Sequence, residues 1–222
     1  MGRADTSRLL DGRRRAATGY RRRNRERWEQ LWRREPERDP AWAEEEPPSH
    51  LVALVRAGWV PRDAALDLGC GPGAATAYLA TMFRMTIGLD VAWSGLLLAK
   101  QLSEDRGTGP HFVLAESPSL PLRAGAFSFV HDHGCLQHVA RRLWPAHFQE
   151  VARLLRPGGA LELSLTRPVG GRISSRLERP PSRSKLESLA GGSLELVSME
   201  DFPFQPKVGP PRIMTDAVFR RR

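Results

Sequence analysis

"ALDLGCGPGAATAYLA", running from Ala65 to Ala80, decides the fold. An apolar, strand-like start runs into glycines at every second position, Gly69, Gly71 and Gly73, and an alanine-rich, helix-like run follows. Glycine permits positive φ and lets the backbone approach a ligand closely. The following helix aims its free N–H groups at the loop. Read loosely, Gly69-x-Gly71-x-x-Ala74 fits the dinucleotide fingerprint. Asp67, two residues before Gly69, argues against that reading. A carboxylate beside the loop repels a pyrophosphate and suits a cation such as S-adenosylmethionine. Asp90, at the end of "TIGLD" and 17 residues after Gly73, is placed to accept both hydrogen bonds of a ribose diol, in either kind of site.

Outward from this unit, strand-like and helix-like stretches alternate to about residue 166. "ALDL", "MTIGLD", "HFVLA", "AFSFVHD" and "ALELSLT" read as strands, and Ala74–Phe83, Trp93–Ser103 and Pro145–Leu155 as helices. Such alternation predicts an α/β fold, a parallel sheet with helices on both faces. The tail changes character. "GGRISSRLERPPSRSK" reads as a loop, and "SLELVSMEDF" and "RIMTDAVFRR" as two strands with no helix between them, an antiparallel hairpin at the sheet edge. Ahead of the glycine loop, residues 20–35 read as a helix with Trp28, Leu31 and Trp32 on one stripe. A second short helix over His50–Ala57 starts at a Ser49 cap. The expected organisation is a basic, disordered segment over 1–19, a helical cap over 20–60 and a ligand-binding core over 61–222.

The motifs together resemble the class I S-adenosylmethionine-dependent methyltransferase family. "LDLGCGPG" resembles its first motif, "GLDVAWSGLLLAKQL" the segment after it, "FVLAESPSLPLRAGAFSFV" the adenine-contacting segment, and "RLLRPGGALELSL" the last common motif. Within the family, "HDHGCLQHV", the N-terminal cap and the final hairpin resemble small-molecule enzymes of the thiopurine and tellurite-resistance type. The resemblance implies a Rossmann-like, seven-stranded, mostly parallel sheet ending in an antiparallel hairpin. It implies S-adenosylmethionine as cofactor. Asp67 would orient its methionine end through the loop, and Gly69, Cys70, Gly71 and Gly73 would supply backbone contacts. Asp90 would hold the ribose, Val91 would pack on the adenine, Glu116 would accept the adenine amino group, and the Ser117 N–H would bond a ring nitrogen. Ser128 stands where the family carries an acid, a structural departure.

The cofactor's sulfonium makes its methyl group electrophilic, so positioning an acceptor in line can supply much of the rate. An O–H or N–H acceptor also needs a base. His133 and Asp132, in the loop that the resemblance puts beside the methyl group, are the candidates for proton transfer. His138 and Trp42 are the candidates for acceptor binding, and His131 is expected to face core or sheet edge. His131 and His133 are spaced like a metal pair, but they lack a third ligand and methyl transfer needs no metal, so none is expected.

The chain of 222 residues suits one domain with a real core. No apolar run approaches the roughly 18–20 residues of a membrane span. Two cysteines, Cys70 and Cys135, are too few for a disulfide framework and fit a reducing, cytoplasmic setting. The net charge of +9 is concentrated in residues 1–38, which hold 13 arginines and 6 acids. A nucleic-acid or protein acceptor held by this arm is therefore an alternative, but no N/D-P-P-Y/F run follows the fourth strand, which argues against methylation of base amino groups, and a small-molecule acceptor is favoured. A non-catalytic partner subunit and a nicotinamide oxidoreductase are further alternatives. The intact Asp67, Asp90 and glycines speak against the first, and Asp67 against the second.

Overall fold

The computed structural model describes residues 19–33, 46–168, 181–205 and 211–222. A seven-stranded sheet forms its centre, in the order β3-β2-β1-β4-β5-β7-β6. The parallel strands are β1 (Ala64–Leu68), β2 (Met85–Asp90), β3 (His111–Leu114), β4 (Phe127–His133) and β5 (Leu155–Pro168). β6 (Leu194–Phe204) and β7 (Arg212–Arg221) form the antiparallel hairpin, with β7 inserted between β5 and β6. The fold is therefore the Rossmann-like one that the motifs imply.

The helices are α1 over residues 19–32, α2 (Ser49–Arg56), α3 (Ala74–Met82), α4 (Trp93–Asp105), α5 (Trp144–Leu154) and α6 (Arg183–Ala190). Every residue of β1 is buried, as expected of a central strand covered on both faces. Period two divides it: Leu66 and Leu68 enter the core with Phe148 of α5 and Leu186 of α6, while Ala65 packs with Leu51 of α2 and Leu79 of α3. Ser128 is indeed structural. Its hydroxyl donates to the carbonyls of Pro61 (2.6 Å) and Ala64 (3.0 Å), tying β4 to the entry of β1.

Three local expectations are corrected. Ser49 is the first helical residue of α2 and makes no side-chain cap; Pro48 takes the cap position. The helix expected over Pro145–Leu155 ends at Leu154, because β5 starts directly at Leu155. The stretch expected to be loop runs at its end into an unexpected helix, α6: Ser182 accepts from the Lys185 N–H at 3.3 Å, Gly191 ends the helix at φ 59°, and Leu186, Leu189 and Ala190 fill the buried stripe. The basic segment over 1–18 and Trp42 lie outside the described residues.

Gly73 is the cap of α3 at φ 90°, and a Cβ there would lie 2.6 Å from Ala99 Cβ and 2.8 Å from Ala99 Cα. It serves helix–helix contact between α3 and α4. Gly73→Ala should cost about 2–5 kcal/mol of stability through backbone strain and overpacking, read by urea denaturation. A loss below about 1 kcal/mol would contradict this packing.

Candidate active site

The parallel strands of an open α/β sheet gather their functional residues at their carboxyl ends. Here β1, β2 and β4 end around one cavity of about 420 Å³, within the usual range for small-molecule pockets. Asp67, Gly69, Cys70, Gly71, Asp90, Val91, Glu116, Ser117, His133 and His138 all stand on its wall.

At one end the groups suit an adenosine. Asp90 is buried and accepts from the Gly71 N–H at 2.9 Å and the Ala92 N–H at 2.8 Å, one bond on each oxygen. A carboxylate oxygen can accept twice, so each keeps a lone pair for a ribose hydroxyl. Burial pushes its pKa up to about 6, against the pull of those backbone N–H groups. Glu116 accepts from Asn24 Nδ2 at 2.8 Å through Oε1, while its buried Oε2 has no partner. That orphaned acceptor fits an exocyclic amine. Asp67, on the face of β1 that looks toward α3, accepts from Thr76 Oγ1 at 2.5 Å and buttresses the loop. Burial raises its pKa, opposed by the nearby His131. Gly69 and Gly71 both have positive φ; a Cβ on Gly69 would strike Cys135 Cβ at 2.8 Å, and one on Gly71 would approach Trp32 at 3.0 Å. Three carboxylates line this end, against the single buried imidazolium of His131 beside Asp67. This end therefore fits the sulfonium and ammonium of S-adenosylmethionine and opposes a pyrophosphate.

Helix α1 closes the cavity from above. Tyr20 donates to the His138 carbonyl at 3.1 Å and accepts from the Ala140 N–H at 3.0 Å. Glu29 accepts from the backbone N–H and hydroxyl of Ser94, in the first turn of α4, at 3.0 and 2.8 Å. Trp32 lies across Gly71 and Gly95, and Trp28 stacks beside it and meets His138 edge-on at 4.9 Å.

The strand alternation sorts the histidine-rich segment. His131 and His133 lie on the Phe129 face of β4, and Asp132 on the opposite face with Val130. Asp132 is fully buried and does not reach the cavity wall. Its Oδ1 accepts from the N–H groups of Cys135 (2.9 Å) and Leu136 (3.0 Å), shaping the loop. Its Oδ2 contacts His147 Nε2 at 3.1 Å, and His147 Nδ1 bonds the Ser117 hydroxyl at 2.7 Å. Asp132 is thus a loop-positioning group, and the expectation that it meets the reacting atoms is corrected. Gly73 likewise stands off the wall.

His131 holds a partner that the motifs do not reveal. Its Nδ1 donates to Glu162, its neighbour in the β4–β5 register, and both are fully buried. Glu162 also accepts from the Ser164 hydroxyl at 2.5 Å and contacts His50 Nε2 at 3.1 Å. Ser164 Oγ lies 2.9 Å from His50 Nε2 and 3.1 Å from Asp216 Oδ1. Among the described residues, His50, Glu162 and Asp216 bring one ligand atom each within 4.8 Å, a spacing that could hold a metal. Protons also satisfy the cluster: Ser164 donates to Glu162 and accepts from His50 and a protonated Asp216.

The charges follow from this arrangement. Burial disfavours the His131 cation, but Glu162 outweighs it and raises the pKa to about 9. Burial and the adjacent Glu162 raise Asp216 to about 9. Burial and the neighbouring His131 lower His133 to about 3, and burial and Arg27 lower His138 to about 4, so both stay neutral. At pH 7–9 the fold therefore holds protons on His131 and Asp216 that an unfolded chain, with ordinary values of 6.5 and 3.8, has released. Stability from His131 is complete below about pH 6.5 and is lost as pH rises through about 9. Asp216 adds a decline in the same direction. Urea denaturation across this range should show stability falling by up to about 1.4 kcal/mol per pH unit for each proton. Level or rising stability would contradict the assignment.

Sequence reasoning missed Glu162, His50, Ser164 and Asp216 behind the histidines, Asn24 and Glu29 on α1, and Arg212 and Phe204 at the far end of the cavity. The polar members of "LELSLT", alternating with leucines, carried a signal for the first group.

Comparison with known proteins agrees with this geometry. Residues 65–159 match the methyltransferase domain family. The chain is 30% identical over 120 residues to the 2-heptyl-1-hydroxyquinolin-4(1H)-one methyltransferase of Mycobacteroides abscessus, a match covering 54% of this chain and 52% of that protein. The chain thus spans about half the length of this curated relative. It is 25% identical over 177 residues to thiocyanate methyltransferase 1 of Arabidopsis thaliana, covering 79% and 76% of the two chains. Among solved structures, the N-methyltransferase NodS of Bradyrhizobium japonicum WM9, in complex with S-adenosylhomocysteine, superposes with a TM-score of 0.68 at 19% identity, covering 89% of this chain and 98% of that one. Residues 65–159, which hold the glycine loop, Asp90 and Glu116, thus make up a class I S-adenosylmethionine-dependent methyltransferase domain.

Proposed function

We propose that this protein transfers a methyl group from S-adenosylmethionine to a small-molecule acceptor bound in the same cavity. The observation that carries the reading is the continuity of that cavity. It runs from the carboxylates of Asp90 and Glu116, past His131 and His133, to Phe204 and Arg212. In this reading Asp90 holds the ribose, Glu116 Oε2 accepts from the adenine amine, Val91 packs on the ring, and Gly69, Cys70, Gly71 and Ser117 offer backbone. S-adenosylmethionine, when bound, supplies an electrophilic methyl group on a sulfonium. The chain's own contribution is to hold the acceptor in line and to exclude water. The Asp132 carboxylate fixes the 134–138 loop, and His133 and His138 present neutral imidazoles to the acceptor. The small acceptors in the names of the two curated relatives support a small molecule here.

Incubation with methyl-labelled S-adenosylmethionine and a metabolite extract tests the reading. Label in a low-molecular-weight product, absent with Asp90→Ala, is the expected result. Label recovered only in RNA, DNA or protein would overturn it in favour of a polymer acceptor.

A further inference from the structure

The two ends of the cavity carry opposite charge. The carboxylates Asp67, Asp90 and Glu116 line the adenosine end, and the remaining carboxylate on the wall, Glu46, is exposed and pairs with Arg106 at 3.3 Å. At the far end, on the hairpin beyond β5, stand Arg212 and the ring of Phe204, and Arg27 and Trp28 of α1 also line the cavity. Arg212 opens β7 opposite Phe204 on β6. Its guanidinium has no hydrogen-bond or ion-pair partner among the described residues, and its Nε is buried and unsatisfied. A half-buried cation left in this state is costly unless an anion meets it. A second positive group borders the same space. His131 is fully buried, its Nδ1 is held by Glu162, and its buried Nε2 has no partner.

We propose that the acceptor end is an anion site, that Arg212 is its specificity-determining residue, and that the acceptor is a small, flat molecule carrying a negative charge. The apolar body of such a molecule lies against Trp28 and Phe204, and its charged group takes the planar donor fork of Arg212. The imidazolium of His131, with its pKa raised to about 9, adds buried positive charge beneath the cavity wall. The chemistry of transfer fits an anion. An ionised acceptor needs no proton removed: its lone pair forms the bond to the methyl carbon as the carbon–sulfur bond breaks. The bonding pair stays on sulfur, and both charges vanish. Neutral His133, whose pKa lies near 3, is then required only to orient the acceptor.

The inference rests on the methyl-transfer reading of the cavity, and one calorimetric series separates the two. The full chain is first titrated with S-adenosylhomocysteine, the demethylated cofactor. The saturated protein is then titrated with matched pairs: benzoate against benzamide, thiophenolate against thioanisole, and para-nitrophenolate against para-nitroanisole, at a pH where each acid is ionised. The expected result is a preference of at least about tenfold for the anion in one or more pairs, a difference of about 1.4 kcal/mol. Arg212→Gln should abolish it with cofactor affinity unchanged, and Arg212→Lys should restore part of it. Equal affinity within every pair, no binding by any of them, or a preference that survives Arg212→Gln overturns the anion site. Failure of S-adenosylhomocysteine itself to bind overturns the methyl-transfer reading instead.

Discussion

Asp90→Ala should weaken S-adenosylmethionine binding by about 10²- to 10⁴-fold while leaving the fold intact. Two hydrogen bonds from ribose hydroxyls to a carboxylate are together worth about 3–6 kcal/mol, which sets that range. The substitution also releases the Gly71 and Ala92 N–H groups, which the Asp90 oxygens hold at 2.9 and 2.8 Å, so the glycine loop loses its anchor to β2. Stability should suffer little. Burial has already pushed the Asp90 pKa up to about 6, so the fold bears a cost in keeping this carboxylate charged, and removing the charge relieves it. Asp90→Asn retains one acceptor oxygen and should lie between parent and Ala. The affinity is read by calorimetry and the fold by circular dichroism. A dissociation constant within threefold of the parent for a folded Asp90→Ala protein would remove Asp90 from the ribose site.

Glu162→Gln should have the largest effect on stability, a loss of about 3–5 kcal/mol at neutral pH. The His131–Glu162 pair is fully buried, and breaking such a pair strands the remaining charge away from water. His131 is the main source of the downward pull on the Glu162 pKa, against burial, so each ion depends on the other. Replacing both partners by apolar residues of similar size removes the stranded charge. His131→Phe with Glu162→Leu should therefore recover most of the loss, and the decline of stability between pH 7 and 9 should shrink. Urea denaturation of the single and double variants decides this. A single variant within about 1 kcal/mol of the parent, or a double variant no better than the single, would show that the pair is not the centre of this cluster.

Much of this was legible in the sequence where local chemistry and period agree. Gly69, Gly71 and Gly73 mark a loop that needs positive φ, Asp90 closes a strand where a ribose acceptor belongs, and the alternation of strands and helices leaves few topologies. The helix α6 was hidden by its setting, a Ser/Arg/Pro-rich stretch whose composition reads as loop. The Ser182 cap, the Leu186–Leu189–Ala190 stripe and Gly191 were nevertheless present. In the site, neighbours in sequence misled. His131, Asp132 and His133 read as one cluster, yet a strand sends alternate residues to opposite faces, so Asp132 joins His147 of α5 while the two histidines face the cavity. Glu162 lies 31 residues from His131 and meets it only through the β4–β5 register. Asn24, on α1, reaches Glu116 across 92 residues, and no motif spacing encodes that contact. Arg212 was readable as one more arginine in a basic chain; its isolation on a cavity wall exists only in the folded protein.

The central claim is that the glycine loop, Asp90 and Glu116 form a site for a cationic adenosine ligand. Calorimetric titration of the intact chain with S-adenosylmethionine and, separately, with NAD tests it most directly. One equivalent of S-adenosylmethionine should bind with a dissociation constant tighter than about 1 mM, the weak end of working enzyme affinities, and NAD should give no heat over the same range. Absence of S-adenosylmethionine binding, or tighter binding of NAD, would contradict the account.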